Sequence, residues 1–398
     1  MGSFLKKALS ILSFSMLPAA ALQASSDDSN YPKVEPCYGF AYNPGVFSTD
    51  CSGWYVDAAV ICWKSNQEGI SAGTLNTLAQ GTNGANSIAS GDLDFIGTTE
   101  SQQVYPRFEW DAGFKLGIGY QLPCDSWSVG LEYTYYQTNT HNSYASDFVA
   151  DFTDSANAPG IQGTLFSPAY SAFFDSTTVF DDAQNFVKLD WKVQFNQLDL
   201  DFGREFYVGR TMALRPHVGL RSLFIDQNYN IATSASGFDV LREAFSQTRE
   251  SIKMSNDFQG IGIQGGLGLS FEIGWSLGVY GEIGGGATFG RARVTQRVNA
   301  TNQYGVTALD VNQINYTVKD HYDTLLCNAD FALGLQWREK INCDENLLTL
   351  KLGYEEHIFF GYNRFRNLLG PGLQDVITNS PTGNLSFYGI VFAAAIDF

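Results

Sequence analysis

The chain has 398 residues, 44% hydrophobic and 14% aromatic, with 40 glycines, 16% charged residues and a net charge of −17. Soluble domains carry about 25% charged residues, so this composition speaks against a soluble enzyme of the same length. The acidic balance speaks equally against a nucleic-acid binder, which needs a cationic face for phosphates.

The N-terminus reads MGSFLKKALSILSFSMLPAAALQASS, with Lys6 and Lys7 ahead of an apolar stretch from Ala8 to Leu17 and small residues after it. This is the pattern of a secretory signal cleaved after Ala21 or Ala24, and it is too short for a spanning helix. Residues 1–24 are therefore read as a signal peptide, 25–52 as a periplasmic segment and 53–398 as one barrel domain.

No later run reaches the roughly 18 apolar residues of a transmembrane helix. Ten stretches instead alternate apolar and polar residues, the signature of strands with one greasy face. In chain order they cover 53–64, 107–120, 127–138, 187–205, 212–230, 258–272, 276–295, 322–338, 347–362 and 385–398. In RFEWDAGFKLGIGY, Phe108, Trp110, Ala112, Phe114, Leu116, Ile118 and Tyr120 share one face. The phase of the fourth stretch slips between Phe195 and Leu198, which predicts a β-bulge.

The connections alternate in length. QLPCDS, FYVGRT, IGW and EKINCDEN are short, whereas 65–106, 139–185, 231–257, 296–320 and 363–384 are long and rich in Asn, Ser, Thr, Asp and Gly. Short periplasmic turns alternating with long extracellular loops characterise outer-membrane barrels. Trp54, Trp127, Trp275 and Trp337 fall at the short-turn end, and Trp63, Trp110 and Trp191 toward the long-loop end, as two interfacial belts would require. The expected fold is all-β: an antiparallel transmembrane β-barrel of about ten strands, with apolar rows facing lipid and the sheet closed on itself, since lipid offers an open edge no partner. The terminal Phe398 stands in phase with the lipid-facing row of the last stretch.

Inverting the greasy face sends the intervening polar residues into the lumen. The candidates are Arg107, Glu109, Asp111, Lys115, Glu132, Asp199, Asp201, Arg215, His217, Arg221, Glu282 and Lys351. Asp199 and Asp201 on the fourth stretch would oppose Arg215, His217 and Arg221 on the fifth, as a charge ladder or as a field acting on passing solutes. Gly260, Gly262, Gly266, Gly268, Gly278, Gly284 and Gly286 bare one face, for an open lumen or for close packing. GIGIQG at 260–265 matches a dinucleotide fingerprint, but strand rather than helix follows it, so no cofactor is expected.

Six cysteines are scattered too widely for a compact metal site. Cys37, Cys51, Cys124 and Cys343 fall on the periplasmic side, available for intrachain disulfides or for linkage to neighbouring envelope proteins, with connectivity open. Cys62 and Cys327 share the apolar phase of their strands and act as small hydrophobes. A protease of the ten-stranded barrel type needs His and paired acids near the outer rim. His141 and His321, with Asp181 and Asp182, are the residues that would serve, and nothing in their order brings them together, so no enzymatic activity is expected.

GWYVDAAVICWKSNQEG, FKLGIGYQLPCDSWSVGLEYTYYQT, FNQLDLDFGREFYVGRTMALRPHVGLRSLFIDQ and LKLGYEEHIFF resemble the Legionella major outer membrane protein family and the similar proteins of environmental Chlamydiae. The resemblance runs from Gly53 to Phe398. It implies an outer-membrane, porin-like barrel in a cysteine-crosslinked envelope, and it carries no catalytic motif. The family includes barrels with more strands, so twelve or more stays open.

The expected function is passive passage of small polar solutes or ions, with preference for cations, together with a structural envelope role. The alternative is a closed barrel acting as adhesin or surface antigen through its long loops, since ten strands enclose a lumen that side chains can largely fill. The expected partners are the outer-membrane bilayer, small hydrophilic solutes, disulfide-linked envelope proteins and further copies of the chain.

Overall fold

The alternation that runs through the sequence closes into a wall. The computed structural model describes residues 53–78, 98–122, 127–145, 149–150, 161–168, 186–208, 211–239, 244–304, 311–341, 346–365 and 383–398. Among these, ten long strands form the barrel: β1 (Gly53–Gln67), β2 (Trp110–Gln121), β3 (Trp127–Ala145), β4 (Phe186–Arg204), β5 (Met212–Asp239), β6 (Ala244–Gly274), β7 (Leu277–Tyr304), β8 (Val311–Ile341), β9 (Asn346–Phe359) and β10 (Leu385–Asp397). Each pairs antiparallel with its sequence neighbours, and β10 returns to β1 from Tyr55↔Asp397 to Gln67↔Leu385, so the sheet closes on itself; above the closed wall, β8 from Val311 to Cys327 pairs with β7 alone among the described strands. The terminal Phe398 adds its backbone N–H to the Trp54 carbonyl at 2.9 Å. A short strand, Phe206–Val208, continues the wall beside β5. Gly73–Leu78, Thr98–Val104, Ile161–Pro168 and Val149–Ala150 form a separate four-stranded sheet from the first two long connections.

The outer face is apolar over a band. On β6 it carries Ile261, Ile263, Leu267, Leu269, Phe271 and Ile273, and on β7 Leu277, Val279, Ile283 and Phe289. Ile261, Ile263, Ile283 and Phe289 are each at least 60% exposed. Leaving such side chains outside is unfavourable in water but required in hydrocarbon. Ile283 stands mid-band. Ile283→Arg is expected to cost about 2–4 kcal/mol of folding stability in lipid vesicles, whereas Asn299→Arg, in the same outer phase above the band, stays within about 0.5 kcal/mol. Equal urea midpoints for the two variants would place water, not lipid, around the wall.

Several expectations are corrected here. The phase slip in β4 is not a bulge. Its register is unbroken against β3, from Trp127↔Arg204 to Ala145↔Phe186, and equally against β5. The alternation continues, but the inward residues change from apolar (Val187, Leu189, Trp191, Val193, Phe195) to polar (Gln197, Asp199, Asp201). The upper half of the lumen is largely an apolar core, with Gln67, Gln227 and Asn256 buried and hydrogen-bonded within it, and the wet cavity lies in the lower half. For the same reason Trp63 and Trp191, both fully buried, belong to the interior and not to an interfacial belt, while Trp54, Trp110 and Trp275 do face outward. Phe108 does not face lipid either: its ring meets Trp191 edge-on at 5.0 Å.

The segments 231–257 and 296–320 are not simple loops. β5 to β8 run through most of them as tall hairpins beyond the apolar band. Their inner face buries Ile231, Ile252, Met254, Val298 and Ala300, while Ser, Thr and Asn on the outer face disguise the strands. The expected signal peptide and N-terminal segment, Cys37, Cys51, Cys124, Cys343, Asp181 and Asp182 lie outside the described residues.

Candidate functional site

The lower lumen holds a cavity of about 460 Å³ that reaches the short-turn end, where Gln121, Glu205, Tyr207 and Asp397 line it. Strand alternation turns every second side chain inward, so the ten strands together converge on it. Lys115, Glu132, Asp199, Asp201, Arg215, His217, Arg221, Glu282 and Lys351 all line this cavity. Asp111 also points inward but higher, accepting a hydrogen bond from the Thr138 hydroxyl at 2.6 Å. Arg107 and Glu109 stand outside the lumen: pairing of β2 begins only at Trp110, and both side chains are exposed.

Asp199 and Arg221 stand directly across from each other in the β4–β5 register. The Arg221 guanidinium donates to Asp199 at 2.9 and 2.8 Å, to Asp330 on β8 at 2.7 Å and to Gln264 on β6 at 2.6 Å. Asp330 in turn faces His357 Nδ1 at 2.8 Å, and His357 Nε2 lies 3.3 Å from Glu355. With a carboxylate at each ring nitrogen, both nitrogens are satisfied as donors. Glu355 completes the chain with Lys115 on β2 at 2.6 Å. Three cations and three carboxylates thus cross the lumen and tie β2, β9, β8, β5 and β4. Lower down, Arg215 pairs with Asp201 and donates to Ser128 at 3.1 Å, and His217 lies 3.7 Å from Glu282.

Asp330, Glu355 and His357 were not among the expected site residues. Their signal was present: Asn328, Asp330, Ala332 and Gly334 alternate with Phe331, Leu333 and Leu335, and Lys351, Gly353, Glu355 and His357 alternate with Leu352 and Tyr354.

Above this ionic layer the lumen is filled. Trp63 packs on His357 at 4.9 Å, Tyr136 at 5.4 Å, Phe387 at 6.1 Å and Phe195 at 6.4 Å. Phe359 joins Phe195 at 5.6 Å. None of these five aromatic side chains is more than 1% exposed. The Lys115 ammonium stands 5.4 Å from the Trp63 ring, where cation–π attraction joins the two layers. The chain after β9 then folds inward. The Tyr362 hydroxyl donates to the Ile225 carbonyl at 3.2 Å or the Asn256 carbonyl at 3.0 Å, and Asn363 donates to the carbonyls of Glu68 and Gly69 at 3.0 Å each. Burial, reinforced by Asp257 and Asp226, pushes the Tyr362 phenol well above its usual range, so it stays a donor.

The inward glycines largely serve packing. A Cβ on Gly262 would lie 2.1 Å from the Ala287 carbonyl oxygen, and one on Gly266 would lie 2.8 Å from the His217 ring. Gly284 does line the cavity. GIGIQG is mid-strand in β6. His141 pairs with Asp190 on the exposed upper wall, and the Asn139 amide stands 3.1 Å from its Nε2. His321 is on the outer face of β8, away from that pair. Cys62 and Cys327 are free thiols on the outer phase of their strands.

The profile of the Legionella pneumophila major outer membrane protein precursor family matches residues 47–398. No curated protein matches the chain at a significant level. Solved structures with similar folds include the outer membrane protease OmpT from Escherichia coli (10% identity, 87% of this chain and 96% of that chain, TM-score 0.30). A major outer membrane protein from Thermus thermophilus aligns at 13% identity over 87% of this chain and 99% of that chain, with a TM-score of 0.25. The P. putida toluene transporter TodX aligns at 10% identity over 88% and 90%, with a TM-score of 0.28. These likenesses are too remote to carry a functional argument. The family match over nearly all of a closed, outwardly apolar barrel is sufficient: the chain belongs to the Legionella pneumophila major outer membrane protein family and is a protein of the bacterial outer membrane.

Proposed function

We propose that the protein is a structural barrel of the outer membrane, closed across its middle, that carries its long loops at the cell surface. The single observation behind this reading is the buried cluster of Trp63, Tyr136, Phe195, Phe359 and Phe387, which fills the lumen above a complete ionic layer. Close-packed rings leave no wet path for a hydrated ion, and dewetted apolar constrictions are barriers to conduction. The purified protein in a planar lipid bilayer is expected to give no stepwise current; steady ohmic steps from the unmodified chain would overturn the reading.

A second reading, passage of small polar solutes once the rings are displaced, is favoured by the charged cavity below them. Its lining mixes both signs, so selectivity for cations would have to come from the surplus of Asp57, Glu132, Glu205 and Asp397 over Lys351, none of which has an ion-pair partner among the described residues. Reversal potentials in a salt gradient would test that preference.

A further inference from the structure

The outer wall changes character abruptly above the apolar band on β6, β7 and β8. Ile261, Phe289 and Leu325 form one lateral row, and each is more than 50% exposed. The next rows upward in the same outer phase bring Arg291, Arg293, Lys319 and His321 side by side, and then Arg297 beside Lys253. All six are exposed, and the intervening Ala292, Val294 and Val298 are buried, so the basic side chains point away from the barrel. Two acids share the patch, and a third, Asp226 on β5, borders it beside Asp257. Asp323 is bound by Arg291 at 3.0 Å, and Asp257 stands opposite Arg293 in the register. Lys253, Arg293, Arg297 and Lys319 have no carboxylate within ion-pair distance among the described residues. In a chain of net charge −17, such a one-sided cationic surface is not a by-product of composition.

Its height identifies what it meets. At about 3.3 Å per residue on strands tilted by about 40°, Arg293 and His321 stand about 10 Å above the last lipid-facing row, and Arg297 about 20 Å. That is the headgroup zone of the outer leaflet, built of phosphorylated glycolipid. Guanidinium forks and ammonium groups bind phosphate oxygens strongly, and basic clusters flanking a hydrophobic span recruit anionic headgroups. We propose that the outer face of β6–β8 is a binding site for the phosphorylated headgroup of an outer-leaflet glycolipid, with Arg291, Arg293, Arg297, Lys253 and Lys319 as the cationic contacts. The acyl chains of the same lipid would lie on the apolar row below, beginning at Ile261, Phe289 and Leu325.

The test is direct. The full-length barrel in detergent is titrated with bis-phosphorylated lipid A, with dephosphorylated lipid A and with inorganic phosphate, and bound ligand is read by native mass spectrometry. Bis-phosphorylated lipid A is expected to bind tightest, with binding weakened by salt. The R293Q/R297Q/K319Q variant is expected to lose about a hundredfold in affinity, at roughly fivefold per cation near a headgroup. K188Q/K192Q, on the outer face of β4 and separated from the patch by β5, is expected to leave binding unchanged. Unshifted heat-modified gel mobility confirms that each variant is folded. Equal binding of the two lipids, equal binding by the triple variant, or binding of inorganic phosphate as tight as that of the lipid would each overturn the proposal, as would heparin binding without lipid A binding.

Discussion

Replacing Trp63, Tyr362 and Phe387 together by alanine is expected to turn a silent barrel into one that passes ions in discrete steps. Each side chain is at most 3% exposed. Trp63 and Phe387 are centres of the ring cluster, and Tyr362 crosses the mouth from β9 toward the carbonyls of Ile225 and Asn256. In a globular core the neighbours would relax into part of the space, and each truncation would cost about 3–5 kcal/mol. Here the wall is a closed hydrogen-bonded cylinder whose radius is set by strand number and stagger, so it cannot collapse inward. The vacated volume borders Lys115, Glu355 and His357, polar groups that hold water. A wet column would then join the lower cavity to the mouth. Phe392→Ala, a comparable truncation on the lipid-facing phase of β10, is the control and should stay silent. The triple variant must first show the heat-modified mobility of a folded barrel. A folded triple variant without conductance would mean that some other element closes the lumen.

The barrel itself was legible because period-two alternation survives in every strand, and because short and long connections alternate. Legibility stopped where the surroundings of the inner face changed. In the lower half, apolar-out and polar-in holds for Leu198, Leu200 and Phe202 against Asp199 and Asp201. In the upper half the outer face of β4 meets water, with Lys188, Asp190 and Lys192 on it, while the inner face meets the apolar core, so Val187 to Phe195 invert the pattern with no break in the backbone. A rule that allots one solvent to each face reads this inversion as a bulge. Trp63 and Trp191 were misplaced by the same assumption, since height along a strand does not tell a belt tryptophan from a buried one. The charge ladder between Asp199 and Arg221 followed from adjacency of β4 and β5. Asp330 with His357 is likewise a pair of adjacent strands, and His357 with Glu355 an i,i+2 pair on β9, but the links from Arg221 to Asp330 and from Glu355 to Lys115 cross the lumen between non-adjacent strands, and no local spacing encodes which side chains meet across a cylinder.

Arg221 is where those crossings join, and its loss should be the most destabilising single change in the ionic layer. Its guanidinium serves Asp199, Asp330 and Gln264 at once, and its side chain is 5% exposed. Arg221→Met leaves Asp199 buried with only the Gln197 amide, at 2.7 Å, and leaves Asp330 to His357 and the Asn328 amide, each at 2.8 Å. Removing one partner of a buried pair costs about 3–5 kcal/mol, chiefly because the remaining charge is uncompensated. Arg221→Lys keeps the charge but loses the fork, which should cost about 1.5–3 kcal/mol for the charge-assisted bonds it cannot remake. The double variant Arg221→Met/Asp199→Asn removes the stranded carboxylate as well, and it should be more stable than Arg221→Met alone. That non-additivity is the signature of a coupled network rather than of lost packing. Urea unfolding of the barrel in lipid vesicles measures all three. An Arg221→Met midpoint equal to that of the unmodified chain would mean that water already screens the layer, and the ladder would then contribute nothing to holding the wall.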